Sequence, residues 1–326
     1  MRPVVPSITA LLAGAAALVG ACGAASEPSR DHATGTAATA AAGAAREHRR
    51  APAVCGRLRA VATGTLQAPE LTELSGLALS PDQPGVLWAH NDSGDRPRVF
   101  ALAPDGRALA VLDVPGAEAV DWEDLAIGPA SAGARPRALY LADTGDNASS
   151  RAGIDVYRVP EPRLPATGVT APATRLRLRY PDGAHDAETL LVEPRTGELA
   201  IVTKRFDGAS RVYSATPAAV ARAAAGAVVT LRRGALLPLG TGGLATAGDV
   251  SANRRIVVVR TYTALVAWRK APGATLAATL RRRPCRGVVP LAGEGQGESL
   301  ALTRSGRAFF TAPEGAGATI RRYAAR

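Results

Sequence analysis

Short apolar runs recur along this chain from about residue 56 to its end, each of roughly four to eight residues and each closed by Gly, Pro, Asp or Asn. They are rich in Val, Leu, Ile and Ala, and they alternate with polar turns. Only the window 217–227 holds a helical apolar period. Laid over one another, the runs form a repeat of four. The first unit has runs at 75–79, 85–89, 98–102 and 108–112, and the second at 123–127, 138–142, 154–158 and 175–179. The third has 188–192, 198–202, 210–213 and 228–231, and the fourth 248–251, 255–259, 264–268 and 287–289. The last unit has 298–302, 307–310 and 319–323, and there the chain stops one strand short. The segment 56–62, ahead of the first unit, is a spare strand. An N-terminal strand that completes the last unit closes a ring and removes the exposed edge. The arithmetic predicts an all-β fold, a β-propeller of four-stranded blades with five blades. Six is the alternative, because 215–247 has room for an irregular extra element, and a two-domain sandwich is the competing all-β reading.

In a propeller the first strand of each blade lines the channel. The leading positions of those runs are Ser75, Glu123, Glu188, Gly248 and Glu298, with Asp121, Asp186 and Asp249 within two residues of the row. Close carboxylates repel unless they are protonated or bridged by a cation, and hard oxygen ligands suit Ca²⁺ or Mg²⁺. The second runs of the first two units exit through near copies, Asn91-Asp92-Ser93-Gly94-Asp95 and Asp143-Thr144-Gly145-Asp146-Asn147. Asp92, Asp121, Glu123, Asp143, Glu188 and Glu298 are therefore the candidate metal ligands. The competing reading of each loop is an Asx-turn that caps its own backbone. Lys204 and Arg260 exit the third and fourth units at the equivalent place, and His90 directly follows the second run of the first. These three are the candidate ligand-binding residues, suited to a phosphorylated or carboxylated ligand beside a metal. Ion pairing with the acidic row explains the two bases equally well.

Other chemistries find little support. The folded part has no Gly-x-Ser-x-Gly elbow, and its cysteines lack zinc spacing. Gly293-Glu294-Gly295-Gln296-Gly297 leads into a strand rather than a helix, unlike a dinucleotide loop. Two enzymatic alternatives stay open beside a binding module. One is a metal-assisted phosphoesterase; the other is a glycoside hydrolase with its acids among Asp121, Glu123, Glu188 and Glu298.

The N-terminus sets the compartment. Arg2 precedes an apolar stretch at 8–19, which ends in Val19-Gly20-Ala21-Cys22. That stretch is shorter than the roughly 20 residues of a bilayer span, so residues 1–21 read as a signal peptide with a lipobox-like end. Cys22 is the expected lipidation site, carrying palmitate-type acylation. The product is expected on the extracytoplasmic face of the cell membrane, lipid-anchored. Residues 22–53 are Ala, Gly, Thr and Ser with scattered charges, and form the tether; 54–326 form the propeller. Cys55 and Cys285 are then left as a pair in an oxidising compartment, which predicts a disulfide. The net charge of +11, from 39 Lys+Arg against 28 Asp+Glu, is Arg spread along the chain without an aromatic stacking pattern. Nucleic acid is therefore not an expected partner. The expected partners are the membrane, through the anchor, and a small-molecule, polymer or protein ligand, with the protein monomeric.

The stretches Glu73-Leu74-Ser75-Gly76-Leu77-Ala78, 91–95, Asp121-Trp122-Glu123-Asp124-Leu125-Ala126 and Thr144-Gly145-Asp146-Asn147 resemble secreted bacterial propellers of the phytase-like and SdiA-regulated kind. The resemblance covers mainly 73–203. It implies a propeller fold and, for the phytase members, calcium-binding carboxylates around a phosphate site. Most of that wider phytase pattern is missing here.

Overall fold

A computed structural model describes residues 51–325 apart from Thr241 and Pro290. The leader, Cys22 and most of the tether lie outside the described residues. The described part belongs to one compact unit, Glu47–Arg326.

The strands sort into five antiparallel sheets, the blades of a five-bladed propeller. Blade I runs Leu74–Leu79, Leu87–Asn91, Arg98–Leu102 and Ala108–Asp113 from channel to rim, and blade II runs Trp122–Pro129, Arg137–Asp143, Ile154–Pro160 and Thr174–Arg179. Blade III has Ala187–Val192, Leu199–Thr203, Ala209–Ala215 and Arg232–Pro238, and blade IV has Ala245–Val250, Ile256–Thr261, Leu265–Arg269 and Cys285–Gly287. Blade V is Ala301–Leu302, Ala308–Thr311 and Thr319–Ala325, closed on the outside by the N-terminal strand Leu58–Thr65. That strand pairs along its length with the last one, from Leu58 opposite Ala325 to Thr65 opposite Thr319. The predicted closure is thus the one observed. It pairs the outer edge of Thr319–Ala325 with hydrogen bonds made inside the molecule.

Each gap between neighbouring blades has its own apolar core. Blades I and II share Trp88, Val99, Leu112, Trp122, Leu125 and Leu139. Blades V and I share Phe310 and Ile320 with Leu77, Leu87 and Phe100, so the ring closes by side-chain packing as well as by hydrogen bonds. The second strands are buried on both faces, as in Leu199–Thr203 and Ile256–Thr261, which is why they read as unbroken apolar runs. The Cys55–Cys285 disulfide is present. It ties the residue ahead of the closing strand to the outer strand of blade IV.

Two outer strands differ from expectation. The run 228–231 does not complete blade III; Val229–Thr230 instead pairs in parallel with Thr174–Arg179 of blade II, and Arg232–Pro238 takes the blade III position. Likewise Gly168–Val169 adds in parallel to the rim of blade I. Both additions cover part of a rim edge that would otherwise be unpaired. The helical window is a helix, Pro217–Ala224, capped by Thr216, whose hydroxyl accepts from Ala219 N. The extra element anticipated in 215–247 is this helix, not a sixth blade. A second short helix, Leu276–Leu280, was not legible as a period because it spans little more than one turn.

Candidate functional site: an acidic channel mouth

Four inner strands slip by an extra residue at the same height. The shifts fall between Leu74 and Leu77, Trp122 and Asp124, Ala187 and Thr189, and Ala245 and Ala247. A β-bulge of this kind unpairs one residue and re-aims its side chain. The bulged residues are Ser75, Glu123, Glu188 and Thr246, and Glu298 stands in the same sequence setting ahead of blade V's inner strand. The row expected from the sequence is therefore real, with one correction. Blade IV contributes Thr246, not Gly248, because the bulge comes two residues earlier than the apolar run suggested. Gly248 and Asp249 lie deeper. A Cβ on Gly248 would come within 2.7 Å of Thr189 Cγ2, so this glycine lets blades III and IV approach. Asp249 braces the ring from inside, accepting from Val250 N at 2.6 Å and Leu302 N at 2.7 Å.

The mouth gathers carboxylates into three overlapping groups: Asp92, Glu298 and Glu314; Asp92, Asp121 and Glu123; and Glu123, Asp186 and Glu188. Within each group the carboxylate oxygens lie within 4.8 Å of one another, the span of two oxygens bound to opposite sides of one Ca²⁺ at about 2.4 Å. Glu123 and Glu188 are 2% and 3% exposed, and the Oε2 atom of each has no hydrogen-bond partner. Burial, then the charges of Glu188, Asp92, Asp121 and Asp186, hold the Glu123 carboxyl well above its usual range. Burial likewise pushes Glu188 up to about 9, against the pull of Lys204. Asp92 rises to about 6 and Glu314 to about 8, again mainly through burial. Gly145 leaves room for these carboxylates. A Cβ on it would fall 2.2 Å from Glu123 Oε1 and 2.4 Å from Asp121 Oδ2.

Of the expected metal ligands, Asp92, Asp121, Glu123, Glu188 and Glu298 come together in these groups, and Asp143 does not. Asp143 is instead an ion-pair partner of Arg151 at 2.8 Å and accepts Asp121 N at 3.2 Å. In that loop Asp146 caps the backbone of Ser150 and Arg151, the Asx-type role weighed from the sequence. The first loop divides its acids: Asp92 faces the mouth while Asp95 pairs with Arg98 at 2.8 Å. Glu314 was not singled out from the sequence. It follows the second strand of blade V, and aligning all five second-strand exits would have found it.

The three candidate ligand-binding residues separate. Lys204 reaches into the mouth. Its ammonium pairs with Glu188, stands 3.8 Å from Glu298 Oε1, and lies 5.6 Å from the centre of the Tyr262 ring. Burial works against its charge, but Glu188 and the phenol and carboxylate beside it raise its pKa overall. Tyr262, the blade IV exit residue, donates its hydroxyl to Glu298. Arg260 is fully buried behind the mouth, paired with Glu294 at 3.2 Å and donating to Ser299 O at 2.9 Å. His90 is buried edge-on against Trp122, with ring centroids 5.2 Å apart, and its Nδ1 lies 2.8 Å from Asn91 O. Burial lowers its pKa. Below the row, Asp124 is a further buried brace. Its carboxylate accepts from Leu125 N at 2.9 Å, Leu190 N at 2.8 Å and Gly248 N at 3.2 Å, joining blades II, III and IV.

No protein-family model matches the chain, and no curated protein matches it. Among solved structures it is similar to a gluconolactonase from Xanthomonas campestris, at 15% identity over 82% of this chain and 90% of that one, with a TM-score of 0.42. It is also similar to a putative oxidoreductase (glucose dehydrogenase) from Thermus thermophilus, at 14% identity over 82% and 99%, with a TM-score of 0.43. A third is Sqt1 from Chaetomium thermophilum, at 15% identity over 78% and 60%, with a TM-score of 0.36. Likenesses at this level carry no argument about activity. They place no particular weight on the phytase-like kind.

Proposed function

We propose that this protein is an extracytoplasmic, lipid-anchored binding module that holds a divalent cation, Ca²⁺ or Mg²⁺, in its channel mouth and engages its ligand there. One observation carries the reading. The buried Glu123 carboxylate belongs to two of the three carboxylate groups and has an oxygen with no partner. A buried, unpartnered carboxyl is costly in its charged form unless a cation compensates it, and otherwise holds a proton. The donor set is all oxygen and negatively charged, which fits a hard cation and not a soft one. Three carboxylates would leave such a cation positions for outside oxygens, and Lys204 stands beside Glu188 and Glu298, so the fitting ligand would carry phosphate or carboxylate. The test is metal content after purification without chelator, with melting curves in Ca²⁺, Mg²⁺, Mn²⁺ and EDTA. Copurifying metal and a melting temperature raised by a divalent cation are expected. No metal and identical curves refute the reading.

The address rests on the Ala21-Cys22 junction. Cys22→Ala is expected to move the protein from the membrane fraction to the soluble fraction. Unchanged fractionation with no lipid mass on Cys22 refutes anchoring.

A metal-assisted phosphoesterase is the second reading. Glu123 is shared by the groups with Asp92 and Asp121 and with Asp186 and Glu188, an arrangement suited to two neighbouring cations. Turnover of a phosphate-ester panel that depends on Ca²⁺ and fails in Glu123→Gln supports it; no turnover with metal bound leaves the binding module alone.

A further inference from the structure

The two ends of the propeller carry opposite charge. Strands alternate in direction, so the connections from first to second and from third to fourth strand all lie at the end away from the mouth. Those connections carry thirteen Lys or Arg against five Asp or Glu. The connections at the mouth end carry thirteen Asp or Glu against four Lys or Arg. The net surplus of the chain therefore hides a strong segregation. At the basic end every Arg is exposed, while Lys270 is buried against Glu193. Two of the five acids there are also withdrawn from the surface. Glu193 accepts from Arg195 N and Thr196 N, and Glu198 accepts from Leu276 N and Ala277 N.

The folded domain begins along the outer strand of blade IV, where Arg57 bridges in parallel to Val288. Leu58 starts the closing strand opposite Ala325, and Cys55 just before it is bonded to Cys285. The run Arg281-Arg282-Arg283 immediately precedes Cys285 and is exposed. The densest basic cluster thus stands where the tether joins the domain.

We propose that the basic end docks on an anionic lipid surface, phosphate headgroups being the occupant, so that the acidic mouth faces away from the membrane. The proposal rests on the lipid-anchored reading for its choice of partner. An anchor at Cys22 would keep the joining end within reach of the bilayer, since a tether of about 30 residues of this Ala-, Gly- and Thr-rich composition would reach only roughly 30 Å. Opposed charges at the two ends orient the domain in the field of an anionic leaflet. A membrane is favoured over a soluble polyanion because the basic cluster and the chain's junction with its tether coincide.

The test uses the chain from residue 22 onward with Cys22→Ala, so that no lipid contributes, in EDTA, so that no cation at the mouth bridges to phosphate. Cosedimentation is measured with vesicles of phosphatidylglycerol and phosphatidylcholine at 3:7, and with pure phosphatidylcholine. Binding to the anionic vesicles alone is expected, weakened by raising NaCl from 50 to 300 mM. Each basic residue near such a surface is worth about fivefold in partitioning, so replacing Arg281, Arg282 and Arg283 with Gln should lower it by about a hundredfold. Arg195→Glu with Arg254→Glu, on blades III and IV, supplies an independent variant should the first misfold. No binding to anionic vesicles, binding unchanged in a folded variant, or tighter binding to soluble polyphosphate each overturns the proposal. Anchoring itself is read separately, from the membrane fraction of cells expressing the wild type.

Discussion

Replacing Glu123 with Gln should change stability in opposite directions with and without a divalent cation. The side chain is 2% exposed, and its carboxyl is held well above the usual range by burial and by four neighbouring carboxylates. Gln keeps the shape and removes the charge. One pKa unit corresponds to about 1.4 kcal/mol. Relief of even one unit at neutral pH should therefore stabilise the metal-free protein by at least ~1.4 kcal/mol, or roughly 3–6 °C in melting temperature for a domain of this size. In the cation-bound protein the balance reverses. A cation at a hundred times its dissociation constant adds about 2.7 kcal/mol to the wild type. The variant loses the carboxylate shared by two ligand groups and with it most of that gain. The assay is a pair of thermal melts of each protein, in EDTA and in 5–10 mM CaCl₂ as an order-of-magnitude choice well above ordinary sensor affinities. A variant that melts lower than wild type in EDTA refutes the electrostatic argument. A variant whose Ca²⁺ response equals the wild type's refutes Glu123 as a ligand.

In EDTA, stability should fall as pH rises from about 5 to 9. Glu188, Glu314, Asp249 and Asp92 have folded-state pKa values raised to about 9, 8, 7 and 6, so the native state keeps protons that the unfolded chain has already released. Their contribution is fully present below the unfolded pKa and lost through the folded one; a flat urea midpoint across pH 5, 7 and 9 contradicts this. Replacing Cys55 and Cys285 together with Ser opens a loop closed across 230 residues of sequence, which the chain-entropy treatment values at about 5 kcal/mol. Denaturant melts that differ by less than about 1 kcal/mol contradict it. Asp124→Ala leaves the N–H groups of Leu125, Leu190 and Gly248 without their acceptor, at about 1–3 kcal/mol each, so a loss of at least ~3 kcal/mol is expected in the same assay. Deleting 54–65 removes the strand that closes blade V and the cysteine that secures it, and the product should aggregate or unfold; unchanged thermal stability would contradict ring closure.

The fold was legible because a propeller is a repeat whose signals are local. Apolar runs, their turns and the missing last strand all lie in the order of residues, and so does the candidate pairing of Cys55 with Cys285. Most of the acidic row was legible for the same reason: Glu123, Glu188 and Glu298 each precede a run by a fixed offset. Blade IV broke the pattern, since a bulge depends on how two strands register and leaves no mark in Ala245-Thr246-Ala247. The strands 168–169 and 229–230 were illegible as additions to the neighbouring blade, because parallel pairing across a blade boundary is decided by where a long connection can reach. Lys204 and Arg260 look equivalent in sequence, but the observed register makes Tyr262 the counterpart of Lys204, because Thr203 stands opposite Ala187 and Thr261 opposite Ala245. Lys204 therefore lies just past its strand, in the mouth beside Glu188, while Arg260 lies two positions deeper, in the interior against Glu294. The opposition of charge between the two ends was likewise spread along the chain, in loops tens of residues apart. It became a property of the molecule only when alternating strands brought every second connection to the same end.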